Sequence, residues 1–221
     1  MATNLTQQLD TPAPPNLGTP DVLYSESYFR QTNGGLNVYF NKLRNLFGAL
    51  LGPRGGKWMN MPYGAFQDGT DQTAANTTTA YAVTFNTTDF TNGVTLSNSS
   101  RLNVAQAGIY NLQFSIQFKN TTNDGQDVDI WFRKNGTNID NSNSRFHLPA
   151  RKSGGDPSHL IAALNFFFSL AANDYVEIMW RPTDVGVSIE HFATSSSPTR
   201  PAVPSAIATL SFVSNLSTET A

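Results

Sequence analysis

The 221-residue chain contains no cysteine. Without thiols there is no disulfide framework and no cysteine nucleophile, and a product assembled in the cytoplasm is favoured over a secreted animal domain. Charge is sparse as well. Lys and Arg number 14 against 16 Asp and Glu, a formal net charge of −2, so the basic face that nucleic-acid binding asks for is missing. The N-terminus, Met1-Ala2-Thr3-Asn4-Leu5-Thr6-Gln7-Gln8-Leu9-Asp10, has neither a basic start nor an apolar core, which speaks against a signal peptide. No apolar run approaches the length of a membrane span. The Asn-x-Ser/Thr triplets at Asn76, Asn86, Asn98 and Asn120 therefore read as composition, not as glycosylation sites.

Alternation is what the sequence does have. In Gly108–Phe118 the residues Tyr110, Leu112, Phe114, Ile116 and Phe118 are apolar, and Asn111, Gln113, Ser115 and Gln117 between them are polar. A period of two specifies a strand with one dry and one wet face, whereas a helix would scatter the five large groups round its cylinder. Turn signals follow every eight to twelve residues from Tyr63 on. They predict strands near Tyr63–Gln67, Ala80–Phe85, Val94–Leu96, Arg101–Val104, Asp127–Lys134, Asn143–Leu148, Leu160–Ser169, Tyr175–Arg181, Val185–Phe192 and Ala206–Val213. Asn135-Gly136 marks a type I′ hairpin, and Arg151–Pro157 and Ser195–Pro204 read as loops. With no helical crossover between the strands, the sheets should be antiparallel.

The first 24 residues hold Pro12, Pro14, Pro15 and Pro20 in a polar setting, which favours extended backbone. Two readings stand: a disordered tail, or an anchoring arm that orders on a partner. Residues 25–62 contain a heptad row, Phe29, Leu36, Leu43 and Leu50, with Tyr39 and Leu46 beside it, and Gly52-Pro53 stops the pattern. Gly34-Gly35 interrupts it at about 2 kcal/mol of propensity and argues for a helix starting after Asn33. Such a helix either self-associates through Leu36, Tyr39, Leu43, Leu46 and Leu50 or packs on its own β domain. A sandwich or barrel domain is expected at 63–214, with 215–221 a polar tail.

One strand breaks the alternation. Leu160, Leu164, Phe166 and Phe168 point one way, while Ile161 and Phe167, with Ala163 between them, point the other. A strand that is apolar on both sides is covered on both sides. The second cover is either another copy of the chain, making Ile161, Ala163 and Phe167 interface residues, or the N-terminal helix of the same chain.

Catalytic and metal-binding patterns are thin. His147, His159 and His191 fall on different predicted elements with no zinc-ligand spacing. Asp124-Gly125-Gln126-Asp127-Val128-Asp129 offers oxygen ligands for Ca²⁺ but lacks EF-hand spacing. Arg151-Lys152-Ser153-Gly154-Gly155-Asp156 falls short of a phosphate loop. Glu177 and Glu190 would have to meet across a sheet to act as a glycosidase pair, and nothing singles them out. No metal, cofactor or catalytic residue is assigned.

The order of Ala65-Phe66, Asn92-Gly93-Val94, Ala107–Phe114, Arg133-Lys134-Asn135-Gly136, Asn173–Ile178 and Ala208–Phe212 resembles the C1q/TNF-like jelly roll. Tyr63-Gly64-Ala65-Phe66, Thr79–Asn86 and Val128–Gly136 resemble a β domain of tailed-bacteriophage virion proteins. The resemblance implies a mainly β, antiparallel jelly-roll sandwich behind an N-terminal arm and one helix, assembled as a homotrimer. It also implies a non-enzymatic virion component, a capsid decoration or a short head or tail fibre, in contact with other virion proteins and assembled in the host cytoplasm. A second expectation is host adsorption through surface glycans stacked on Trp131 and Trp180.

Overall fold

A computed structural model describes residues 14–17, 19, 23, 25–51 and 61–215. They divide into two units, one ending at Asn60 and one beginning at Met61.

In the first unit a single helix, α1, spans Glu26–Leu51. It begins a full two turns before the start expected after Asn33. Ser25 supplies the cap, its Oγ accepting the Tyr28 N–H at 3.3 Å. One turn on, the Glu26 carboxylate pairs with Arg30 at 2.6 Å. Cap, ion pair and helix dipole together offset the two glycines, which therefore sit inside the helix. Tyr28, Leu36, Tyr39, Leu43 and Leu46 lie half-buried along one side, and Phe29, Val38, Phe40 and Phe47 are exposed.

The second unit is an antiparallel sandwich of two seven-stranded sheets. In the first sheet the order is β2 (Gln72–Thr73), β13 (Val187–Ile189), β7 (Gly108–Asn120), β16 (Ala206–Ser214), β1 (Tyr63–Asp68) and β4 (Thr87–Asn92). Strand β11 (Ser158–Leu170) pairs with β7 along thirteen residues, Ser158 opposite Asn120 and Leu170 opposite Gly108. The second sheet runs β10 (Ser144–Leu148), β8 (Gln126–Lys134), β12 (Tyr175–Pro182), β6 (Arg101–Val104) and β5 (Val94–Ser97). Strand β3 (Tyr81–Ala82) pairs with β12, and β9 (Thr137–Asn138) pairs with β8. Neighbours within each sheet are mostly distant in sequence, so the chain crosses repeatedly between the sheets, as a jelly roll does.

The core follows the period-two reading. Tyr110, Leu112, Phe114, Ile116 and Phe118 of β7 are all buried, as are Val128, Ile130 and Phe132 of β8. Phe132 is the hub, with ring centroids 4.9 Å from Phe166, 5.2 Å from Phe168 and 6.0 Å from Phe114. Asn135 and Gly136 take positive φ, 49° and 83°, the backbone a type I′ turn needs.

Several elements differ from expectation. The stretch read as one strand over Ala80–Phe85 ladders on β12 only at Tyr81–Ala82, with one further backbone bond from the Val83 N–H to the Ile178 carbonyl at 2.8 Å. The first sheet in turn gains an unexpected edge strand, β4, exposed along almost its whole length. The last loop, expected to be irregular, contains a small hairpin of β14 (Ser195–Ser196) and β15 (Thr199–Arg200). Polar two-residue pairings of this kind bury too little to leave a periodic trace.

Candidate functional site

Two surfaces of the sandwich differ sharply, and the difference follows from what each strand places at its outward positions. On the first sheet, β11 turns Ile161 and Phe167 outward at 60 % and 56 % exposure, with Ala163 exposed between them. Adjacent β7 turns Gln113, Ser115 and Gln117 to this face, with the side chain of Asn111 buried beneath it, opposite Asn165, Ala163, Ile161 and Phe167 respectively in register. Next, β16 contributes exposed Ile207 and Val213. On the far flank Tyr63 of β1 and Phe90 of β4 are exposed and meet edge to face at 6.0 Å. The apolar groups thus flank a polar stripe. Both flanking strands, β4 and β11, are sheet edges with no further strand paired to them among the described residues.

The second sheet faces outward with an ion-paired lattice. Glu177 of β12 is buried to 6 % exposure, accepts a hydrogen bond from Ser100 Oγ at 2.9 Å, and lies 3.5 Å from both Arg101 and Arg133. Arg101 also stacks over the Tyr175 ring at 4.5 Å. Asp129 of β8 accepts two hydrogen bonds from Arg145, at 2.8 and 3.0 Å, and a third from Arg181 at 3.3 Å. The Arg145 bond, aided by Asn143 and Arg181, outweighs the cost of burial and holds the Asp129 carboxyl below its usual range. Beside Asp129 opens a surface hollow of about 360 Å³, lined by Trp131, Asn138, Ile139, Asp140, Asn141, Asn143 and Arg181. No exposed large apolar side chain lies on the strands of this sheet.

Sequence reasoning placed Ile161, Ala163 and Phe167 on one face, and the structure brings them together there. Leu36, Tyr39, Leu43 and Leu46 share one helix side, and the Leu50 side chain lies outside the described residues. Pro14 is exposed and Pro15 half-buried, while Pro12 and Pro20 lie outside the described residues.

Trp131 and Trp180 part company. Trp131 lines the hollow, but Trp180 is 1 % exposed, packed between Phe118 and Tyr81, and cannot stack on a sugar. Its parity explains this: it is in step with Val176 and Ile178, both buried core residues. Nor do Glu177 and Glu190 meet. Glu177 belongs to the lattice of the second sheet, while Glu190 pairs with Lys119 of β7 at 2.6 Å and lies 3.3 Å from the His159 ring. Among the described residues no three His, Cys, Asp or Glu side chains gather as metal ligands, and no helix is long and apolar enough to cross a membrane. What the sequence did not reveal was the hollow itself, because its wall comes from a turn segment, residues 139–143, whose position only folding fixes. Neither a family model nor a curated protein matches the sequence.

Proposed function

We propose that the chain is a non-enzymatic structural module that assembles as a homotrimer through the outer face of its first sheet. The observation that carries this is the segregation of exposed apolar groups: Ile161, Phe167, Ile207, Val213, Tyr63 and Phe90 all belong to one sheet, and none belongs to the other. Scattered exposed apolar residues need no explanation, but a one-sided concentration marks an interaction face.

The arrangement also favours a ring. Four strand spacings separate β11 from β4, about 19 Å, so the two apolar flanks are distinct patches on one protomer. A contact from the β11 flank of one copy to the β4 flank of the next buries both, covers two open sheet edges, and closes when the rotation per step divides a full turn. The half-buried row of α1 offers a second, shorter seam; at 26 residues it is helped by a trimeric head.

The motif order that resembles tailed-bacteriophage virion β domains directs this reading to a virion surface. There the trimer would serve as a capsid decoration or a short head or tail fibre, with the arm and helix anchoring it to other virion proteins after assembly in the host cytoplasm.

Sedimentation equilibrium of the full chain at micromolar concentration tests the assembly. The expected mass is three chains, falling to one chain in the double variant Ile161→Asp/Phe167→Asp while the far-ultraviolet circular dichroism is retained. A folded wild-type monomer overturns the proposal.

A further inference from the structure

The hollow beside Trp131 has the construction of a ligand site, and we propose that it binds a neutral pyranose sugar. This inference is independent of trimer assembly, since the hollow lies on the opposite sheet from the proposed interface.

Three supports fix its shape before any ligand arrives. Trp131 points outward from β8, and its indole Nε1–H donates to Asn138 Oδ1 at 2.9 Å, holding the ring in one orientation. The wall formed by residues 139–143 is pinned by Ser142, only 4 % exposed. Its Oγ donates to the Ile139 carbonyl at 2.7 Å and accepts the Phe132 N–H at 3.1 Å. At the base, Asp129 is clamped by Arg145 and Arg181. Rigid, pre-positioned polar groups round an aromatic plate reduce the ordering cost that otherwise weakens binding of small polar ligands.

The chemistry of the lining selects the ligand. An indole face suits the C–H-bearing face of a sugar ring, apolar on one side and hydroxylated at its rim. Asp140 and Asn141, at the exposed rim, make no side-chain hydrogen bond among the described residues, leaving one carboxylate and one amide to take sugar hydroxyls. Charge decides against an acidic sugar. The lining carries two carboxylates, Asp129 and Asp140, against the single guanidinium of Arg181. Asp129, moreover, already occupies the adjacent cations. A volume of about 360 Å³ lies at the lower end of the usual range for small-molecule sites, roughly 300–1,000 Å³, so one or two rings are accommodated rather than a long chain.

The test uses the full chain labelled with fluorotryptophan, whose three tryptophans give three ¹⁹F signals that single substitutions assign. Methyl glucoside, methyl mannoside, methyl galactoside and N-acetylglucosamine are titrated to millimolar levels, with glucuronic acid and N-acetylneuraminic acid as the anionic arm. The expected result is a saturable shift of the Trp131 signal with at least one neutral sugar and none with the acids. Asp140→Ala, on an exposed turn where folding is not at stake, is expected to weaken that affinity about fivefold, the value of one good hydrogen bond. Trp131→Ala is expected to abolish saturation transfer from protein to sugar. Absence of any saturable shift with the neutral sugars overturns the proposal. So do equal binding of the acids, undiminished affinity in Asp140→Ala, and saturation transfer that survives in Trp131→Ala.

Discussion

Phe132 meets three other phenylalanines, so its truncation leaves a cavity that no single neighbour can fill. Phe132→Ala is expected to lower unfolding free energy by about 3–5 kcal/mol, read from urea denaturation of the full chain. A second residue-scale expectation concerns acid. Because the hydrogen bond from Arg145, with Asn143 and Arg181, depresses the folded-state pKa of Asp129, its stabilisation is complete above the ordinary carboxylate value, about 4. It drains away as pH falls through the lower, folded value. Asp129→Asn should therefore be less stable at neutral pH and lose less stability on acidification than the parent, as thermal unfolding across the acid range will show. Tyr110 works in the opposite sense: burial pushes its phenol up to about 12, and the hydroxyl donates to the Gln106 carbonyl at 2.8 Å. Its contribution is full below the ordinary tyrosine pKa of about 10 and is lost as pH rises through about 12. An alkaline ultraviolet titration should leave one phenol un-ionised near the onset of unfolding, and Tyr110→Phe should remove it. Much at this scale was legible beforehand. Parity alone separates Trp131, out of step with Val128, Ile130 and Phe132, from Trp180, in step with Val176 and Ile178. The alternation of each strand thus distinguishes the buried indole from the one at the surface.

Among whole elements, the long strands were readable: β7, β8 and β16 set a dry face against a wet one over nine residues or more, β11 is a largely apolar run of thirteen residues, and all four emerge with ends shifted by a residue or two. Strand β4 did not, since its residues are exposed from Thr87 to Thr91 and nothing forces them to alternate. Helix α1 failed in the other direction. Gly34 and Gly35 carry a real propensity cost, but the Ser25 cap and the Glu26–Arg30 pair act a turn or more upstream of the window in which that cost was judged. A methyl group at Gly34 would meet nothing within 4 Å, so Gly34→Ala is expected to stabilise the helix by about 1 kcal/mol. Hydrogen exchange in the full chain checks this: the amides after Asn33 should exchange about fivefold more slowly, and faster exchange would mean that the glycine makes a close contact.

For the molecule as a whole, the two outer faces impose different sensitivities to solvent. The first sheet exposes apolar groups, so the proposed trimer should persist or strengthen in about 1 M salt, where exposed ion pairs are screened. The guanidinium–carboxylate lattice of the second sheet is the part that salt would loosen. Because each protomer proposed for the ring offers one β11 flank and one β4 flank, every subunit is both plug and socket. A preparation spoiled only at Ile161 and Phe167, mixed with another spoiled only at Phe90, would retain a single usable junction between unlike partners, and growth would halt at a capped pair that neither variant forms by itself.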